Sequence, residues 1–179
     1  MTSLEKPNMP RILTTLLTLI TVGELAGCST VHAVKEDYTA EFLGSYRVMD
    51  RSSERIMPLQ DVRLSISPAG RTLIVFQTAK GNGTRTANCF SSLGQWDRAL
   101  HSPTPNATYR GYDCTDDSGT RWQFVHAAPG SSSITQLFNK PIRREVTSGS
   151  GYLLFVSSQG TAALDFALDP DARPGGDHN

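Results

Sequence analysis

Few side chains in this 179-residue sequence are spaced for covalent or acid–base chemistry. Catalysis needs a nucleophile beside a base, a carboxylate pair or a metal set. Ser150 lies in Ser148-Gly149-Ser150-Gly151, which lacks the outer glycine of G-x-S-x-G and the strand-to-helix setting that exposes such a serine. His126 alternates with Trp122 and Phe124, so it reads as a packed, hydrogen-bonded histidine on a strand face rather than a general base. Asp116 and Asp117 are adjacent carboxylates, but with Ser118-Gly119 behind them they read as solvated turn residues. His32 and His178 lie in the segments expected to be a tether and a tail. No Cys or His group has metal-ligand spacing. These residues predict a non-catalytic protein with no cofactor and no metal.

A small basic group remains, Lys140, Arg143 and Arg144 beside Pro141, suited to an anionic headgroup or an acidic partner, or simply to a solvated loop. The chain carries 17 basic and 17 acidic residues. A neutral chain without a basic run argues against nucleic acid, where neutralising phosphates drives binding.

The elements that must position these residues read as short strands, because apolar residues recur with period two between turn signals. Phe42, Gly44, Tyr46 and Val48 alternate, as do Val62, Leu64 and Ile66. Ser67-Pro68-Ala69-Gly70 then turns the chain into Leu73 to Gln77, a hairpin. Gly81-Asn82-Gly83 reads as the next turn, before a strand around Arg85 to Phe90. Ser91 to Asn106 reads as the longest loop, with a helical turn near Gln95 to Leu100. Further strands are expected at Tyr109 to Cys114, Arg121 to His126, Ile134 to Phe138, Tyr152 to Val156 and Ala162 to Leu168, with a turn at Gly149-Ser150-Gly151. The fold class is therefore all-β, a small antiparallel barrel or sandwich of about eight strands, since an open sheet would leave edges unpaired and apolar faces wet.

The apolar run from Ile12 to Val22 follows Lys6 and Arg11 and ends at Leu25-Ala26-Gly27-Cys28. It is too short to span a bilayer and has the plan of a secretory signal, starting at Met1 or Met9. Leu-Ala-Gly-Cys resembles the lipobox of bacterial lipoproteins. That resemblance implies cleavage before Cys28, acylation of its thiol and amine, and, with Ser29 rather than an aspartate following, an outer-membrane anchor facing the periplasm. The expected organisation is a signal at 1–27, a lipidated tether at 28–39, a β-domain at 40–168 and a disordered tail at 169–179. In that oxidising compartment Cys89 and Cys114 are expected to pair. The loop so closed, of about 26 residues, corresponds to roughly 3–4 kcal/mol of chain entropy.

Tyr112-Asp113-Cys114, then Ser148-Gly149-Ser150-Gly151, then Leu154 to Gly160 and Ala162 to Phe166 follow the order of landmarks of another family. This part resembles the membrane-bound inhibitors of c-type lysozyme, small β-barrel lipoproteins. The resemblance implies that Ser148 or Ser150 and Gln159 occupy the positions that reach into a lysozyme cleft, although Gln159 stands where that family has a lysine. The expected function is a protein-binding module, an envelope assembly factor or an inhibitor or immunity protein, whose partner meets Trp96, His101, Arg143, Arg144, Ser148, Ser150 and Gln159 in the loops Trp96 to Pro105 and Lys140 to Gly151. The alternative is a carrier with Tyr46, Phe76, Trp122 and Phe155 turned inward around an apolar molecule.

Overall fold

The computed structural model describes residues 36–53, 55–95, 100–136, 143–158 and 163–171. The signal sequence, Cys28, Trp96, Lys140, Gln159 and the tail beyond 171 lie outside them. A one-turn helix, α1 (Thr39–Phe42), precedes β1 (Gly44–Arg51), β2 (Leu59–Ile66), β3 (Thr72–Thr78) and β4 (Gly81–Gln95). There follow β5 (Leu100–His101), β6 (Thr108–Asp116), β7 (Arg121–His126), β8 (Ser131–Gln136), β9 (Arg143–Ser148), β10 (Tyr152–Ser157) and β11 (Leu164–Pro170).

Eight of these strands close an antiparallel barrel in the order β1-β11-β10-β7-β6-β4-β3-β2, while β5, β8 and β9 form a separate three-stranded sheet. The expected all-β fold is thus a barrel. Its strands follow chain order, interrupted by two excursions: β5 between β4 and β6, and β8–β9 between β7 and β10. Connections therefore alternate between two ends. The first end holds α1, the β2–β3 turn and both excursions; the second holds the β1–β2, β3–β4, β6–β7 and β10–β11 connections.

An eight-stranded barrel is just wide enough to be filled by side chains. Tyr46, Val62, Leu64, Ile74, Trp122, Phe124, Leu154, Phe166 and Leu168 point inward and are buried. Their rings run down the interior: Phe42 stacks on Tyr112 at 5.8 Å, Tyr152 meets Tyr46 at 5.5 Å, and Phe76 meets Trp122 at 5.4 Å between centroids. Cys89 and Cys114 sit directly opposite on β4 and β6 and are disulfide-bonded. Phe42, expected to begin a strand, instead ends α1 and plugs the first end, with its carbonyl accepting a 2.9 Å hydrogen bond from the Tyr46 hydroxyl.

A second apolar layer lies on the outer wall. Val125, Leu153 and Ala167 share one row of β7, β10 and β11 and are covered by Leu100 and Val146 of the small sheet. Burial on both faces explains why β10 reads as a nearly unbroken apolar run, Tyr152-Leu153-Leu154-Phe155-Val156, whereas β2 alternates with polar residues. Phe155, expected inside the barrel, packs into this outer layer.

Other expectations are corrected by the register. Gly81-Asn82-Gly83 is strand, paired with Thr78, Gln77 and Phe76, and the turn falls at Ala79 and Lys80. Gly83 is glycine because the Phe76 ring lies over it: a Cβ there would meet the ring at 2.3 Å. The long loop expected from Ser91 is β4 as far as Gln95, and the loop expected over Lys140 to Gly151 contains β9. Asp169 and Pro170 belong to β11, and the Asp171 amide donates to Ser45, so the ordered chain passes the expected limit at Leu168.

Candidate partner-binding surface

The three-stranded outer sheet collects residues from two distant stretches of sequence. Leu100, Ser133 and Val146 share a register row facing the barrel, and the Ser133 hydroxyl donates to Asp165 of β11 at 2.7 Å. The next row, His101, Ser132 and Thr147, faces outward, with Ile134 opposite Glu145 beyond it. His101, Glu145 and Thr147 are exposed. Ser132 donates to the Glu145 carboxylate at 2.5 Å, which fixes that carboxylate at the surface.

Arg144 reaches across to β1, where Nη2 lies 3.1 Å from Asp50 Oδ1. The contact depends on a β-bulge between Val48 and Asp50, which leaves Met49 as the extra residue and turns Asp50 toward β9. Both partners are about half exposed, so the pair orients the guanidinium and leaves most of its charge to solvent.

Of the residues expected to meet a partner, His101, Arg143, Arg144 and Ser148 are thus placed on one sheet and Ser150 in the connection that leaves it. Trp96 and Gln159 lie outside the described residues. Ser148 is buried and presents no surface: its hydroxyl shares a hydrogen bond with Ser150. Ser150 in turn donates to the Leu168 carbonyl at 2.5 Å and accepts from the Tyr152 amide. These two serines staple the crossing from outer sheet to barrel, so their hydroxyls already serve the fold. Glu145, Asp50 and Ser132 were not anticipated, because nothing local marks cross-strand neighbours so far apart.

A second polar cluster closes the first end. Glu41 of α1 pairs with Arg110 Nη1 at 2.9 Å and with His126 Nδ1. The His126 imidazole lies parallel to the Tyr152 ring at 4.0 Å, and Arg110 lies over the Tyr38 ring. The packed, hydrogen-bonded histidine expected on β7 is what the geometry shows, and among the described residues no serine, threonine or cysteine is bonded to it. The segment before α1 is held by Ser91, whose hydroxyl accepts from the Tyr38 amide and donates to Asp37. Hydrogen bonds from Thr39 and Ser91 lower the Asp37 pKa.

Asp116, expected as a solvated turn residue, is instead buried at the end of β6. Burial acts to raise its pKa, but donors from the Ser118 hydroxyl, the Trp122 indole and the Thr120 and Ser118 amides outweigh it and leave the pKa lowered. Asp117 is exposed and carries the bridge to Arg71 across β4.

Among the described residues no group of three His, Cys, Asp or Glu converges as a metal site, and no helix is long and apolar enough to cross a membrane. Comparison with protein-family models, curated proteins and solved structures returned no match.

Proposed function

We propose that this chain is a lipid-anchored protein of the outer membrane, facing the periplasm, whose barrel is a non-catalytic module that binds an envelope or periplasmic protein through the outward face of β5, β8 and β9. The partner class remains the one read from the sequence, an assembly factor's client or a cell-wall enzyme or toxin held by an inhibitor or immunity protein. The observation that carries this reading is the division of labour between interior and surface. Phe42, Tyr46, Phe124 and Phe166 are fully buried along the barrel axis, whereas His101, Arg144, Glu145 and Thr147 are exposed on one rigid sheet. A carrier needs a cavity, whereas a binding module needs a filled core and a polar, shaped face.

The resemblance to lysozyme inhibitors bears on the mode of binding. Insertion of Ser148 into a cleft requires it to leave a buried position, so an outer-sheet contact suits this chain better. The test is a pull-down from solubilised envelope with the lipidated protein and with an Arg144→Glu, His101→Glu variant. A protein captured by the native chain and lost with the variant supports the reading. No protein partner, together with lipid copurifying inside the barrel, overturns it in favour of a carrier.

A further inference from the structure

Resting on the lipid-anchor reading, we propose that the plugged first end of the barrel docks on the phospholipid surface through Leu93 and Phe90 of β4, with Arg110 beside them. Leu93 is 63% exposed and Phe90 55%, a poor arrangement for large apolar side chains in water. They flank Ser91, the residue on which the incoming chain is pinned through Tyr38 and Asp37. Ile66, 43% exposed, ends β2 at the same end of the barrel.

The length of the connecting chain says what covers this rim. Ten residues separate Tyr38 from Cys28. A flexible segment of that length has an r.m.s. span of about 17 Å. A strand of eight residues such as β1 is about 26 Å long. An acylated Cys28 therefore keeps the first end nearest the bilayer and the second end on average a strand length further out. A short tether also holds the rim at an effective concentration on the order of millimolar, so individually weak contacts suffice for docking. The chemistry matches: leucine and phenylalanine suit the headgroup–acyl boundary. The Arg110 guanidinium, 45% exposed at its side chain and opposite Leu93 in register, lies at phosphate depth.

The experiment uses the lipidated full chain in vesicles of phosphatidylethanolamine and phosphatidylglycerol, with a nitroxide on Leu93→Cys or, as reference, on Lys80→Cys at the second end. The label at position 93 should show an oxygen-to-aqueous-relaxant accessibility ratio about fivefold above that at position 80, as for a group seated in the boundary. Adding Phe90→Asp should lower it again. A label at 93 as water-exposed as that at 80, on protein whose intact mass shows acylated Cys28, overturns this inference alone. Shielding that rises with protein rather than lipid concentration assigns the rim to a second copy and overturns it too. Unmodified Cys28 overturns the anchor reading and this inference together.

Discussion

Glu41 and His126, 85 positions apart in sequence, share a hydrogen bond that fastens α1 into the first end of the barrel. Arg110 holds the other oxygen of the same carboxylate. Glu41→Ala removes both contacts and should cost roughly 1–3 kcal/mol, the range for losing a part-buried charged hydrogen-bond partner. Amide exchange should accelerate first at Thr39 to Phe42. Unchanged protection there would mean the plug is held by Phe42 packing alone.

Phe42 is the apolar half of the same plug, with no exposed surface and a ring on Tyr112. Phe42→Ala should destabilise by about 3–5 kcal/mol, the transfer and cavity cost of a deleted core ring. It should also open space for an apolar fluorophore, read as dye binding by the variant and none by the native chain. Equal binding by both would show that the interior is not filled as described.

Acid should act through Asp116. Its folded pKa lies below the ordinary 3.8, so the stability it contributes is present above that value and is lost as the pH falls through the folded pKa. Urea midpoints of the native chain should therefore drop below about pH 4. Asp116→Asn, which turns a donor toward the Trp122 indole N–H, should already be less stable at pH 7 by about 1–3 kcal/mol. The gap between the two proteins should narrow in acid; a constant gap would remove Asp116 as the titrating group.

Gly151 tests the crossing between sheets. Its φ is +86°, and a Cβ would lie 2.2 Å from the Ala127 carbonyl oxygen. Gly151→Ala should cost at least about 2 kcal/mol through left-handed strain and backbone displacement. Gly149→Ala, with open space at its Cβ, is the control and should be nearly neutral by thermal melting.

Much of the barrel was legible because its inner and outer walls differ in periodicity. Val62, Leu64 and Ile66 announce a wall wet on one side, and Leu153 within a continuous apolar run announces a wall covered on both. The cover itself was harder to read. β5 has only two residues, and β9 reads Arg-Arg-Glu-Val-Thr-Ser, with Val146 as its large apolar side chain. Gly81 to Gly83 misled because turn chemistry and a strand lying under the Phe76 ring both call for glycine. The candidate surface was half legible: His101 and Arg144 stand out by type, but their assembly onto one sheet depends on pairings with Ser132 and Asp50 that no local pattern carries.

The hydrogen-bonded ladder of the barrel closes through β4–β6 and β7–β10 without help from either excursion. The outer sheet is thus a graft on a self-sufficient cylinder, attached at the β4–β6 and β7–β10 connections and through the row of Val125, Leu153 and Ala167. Specificity can diverge there, by changes in length or sequence, while the cylinder that carries it stays intact.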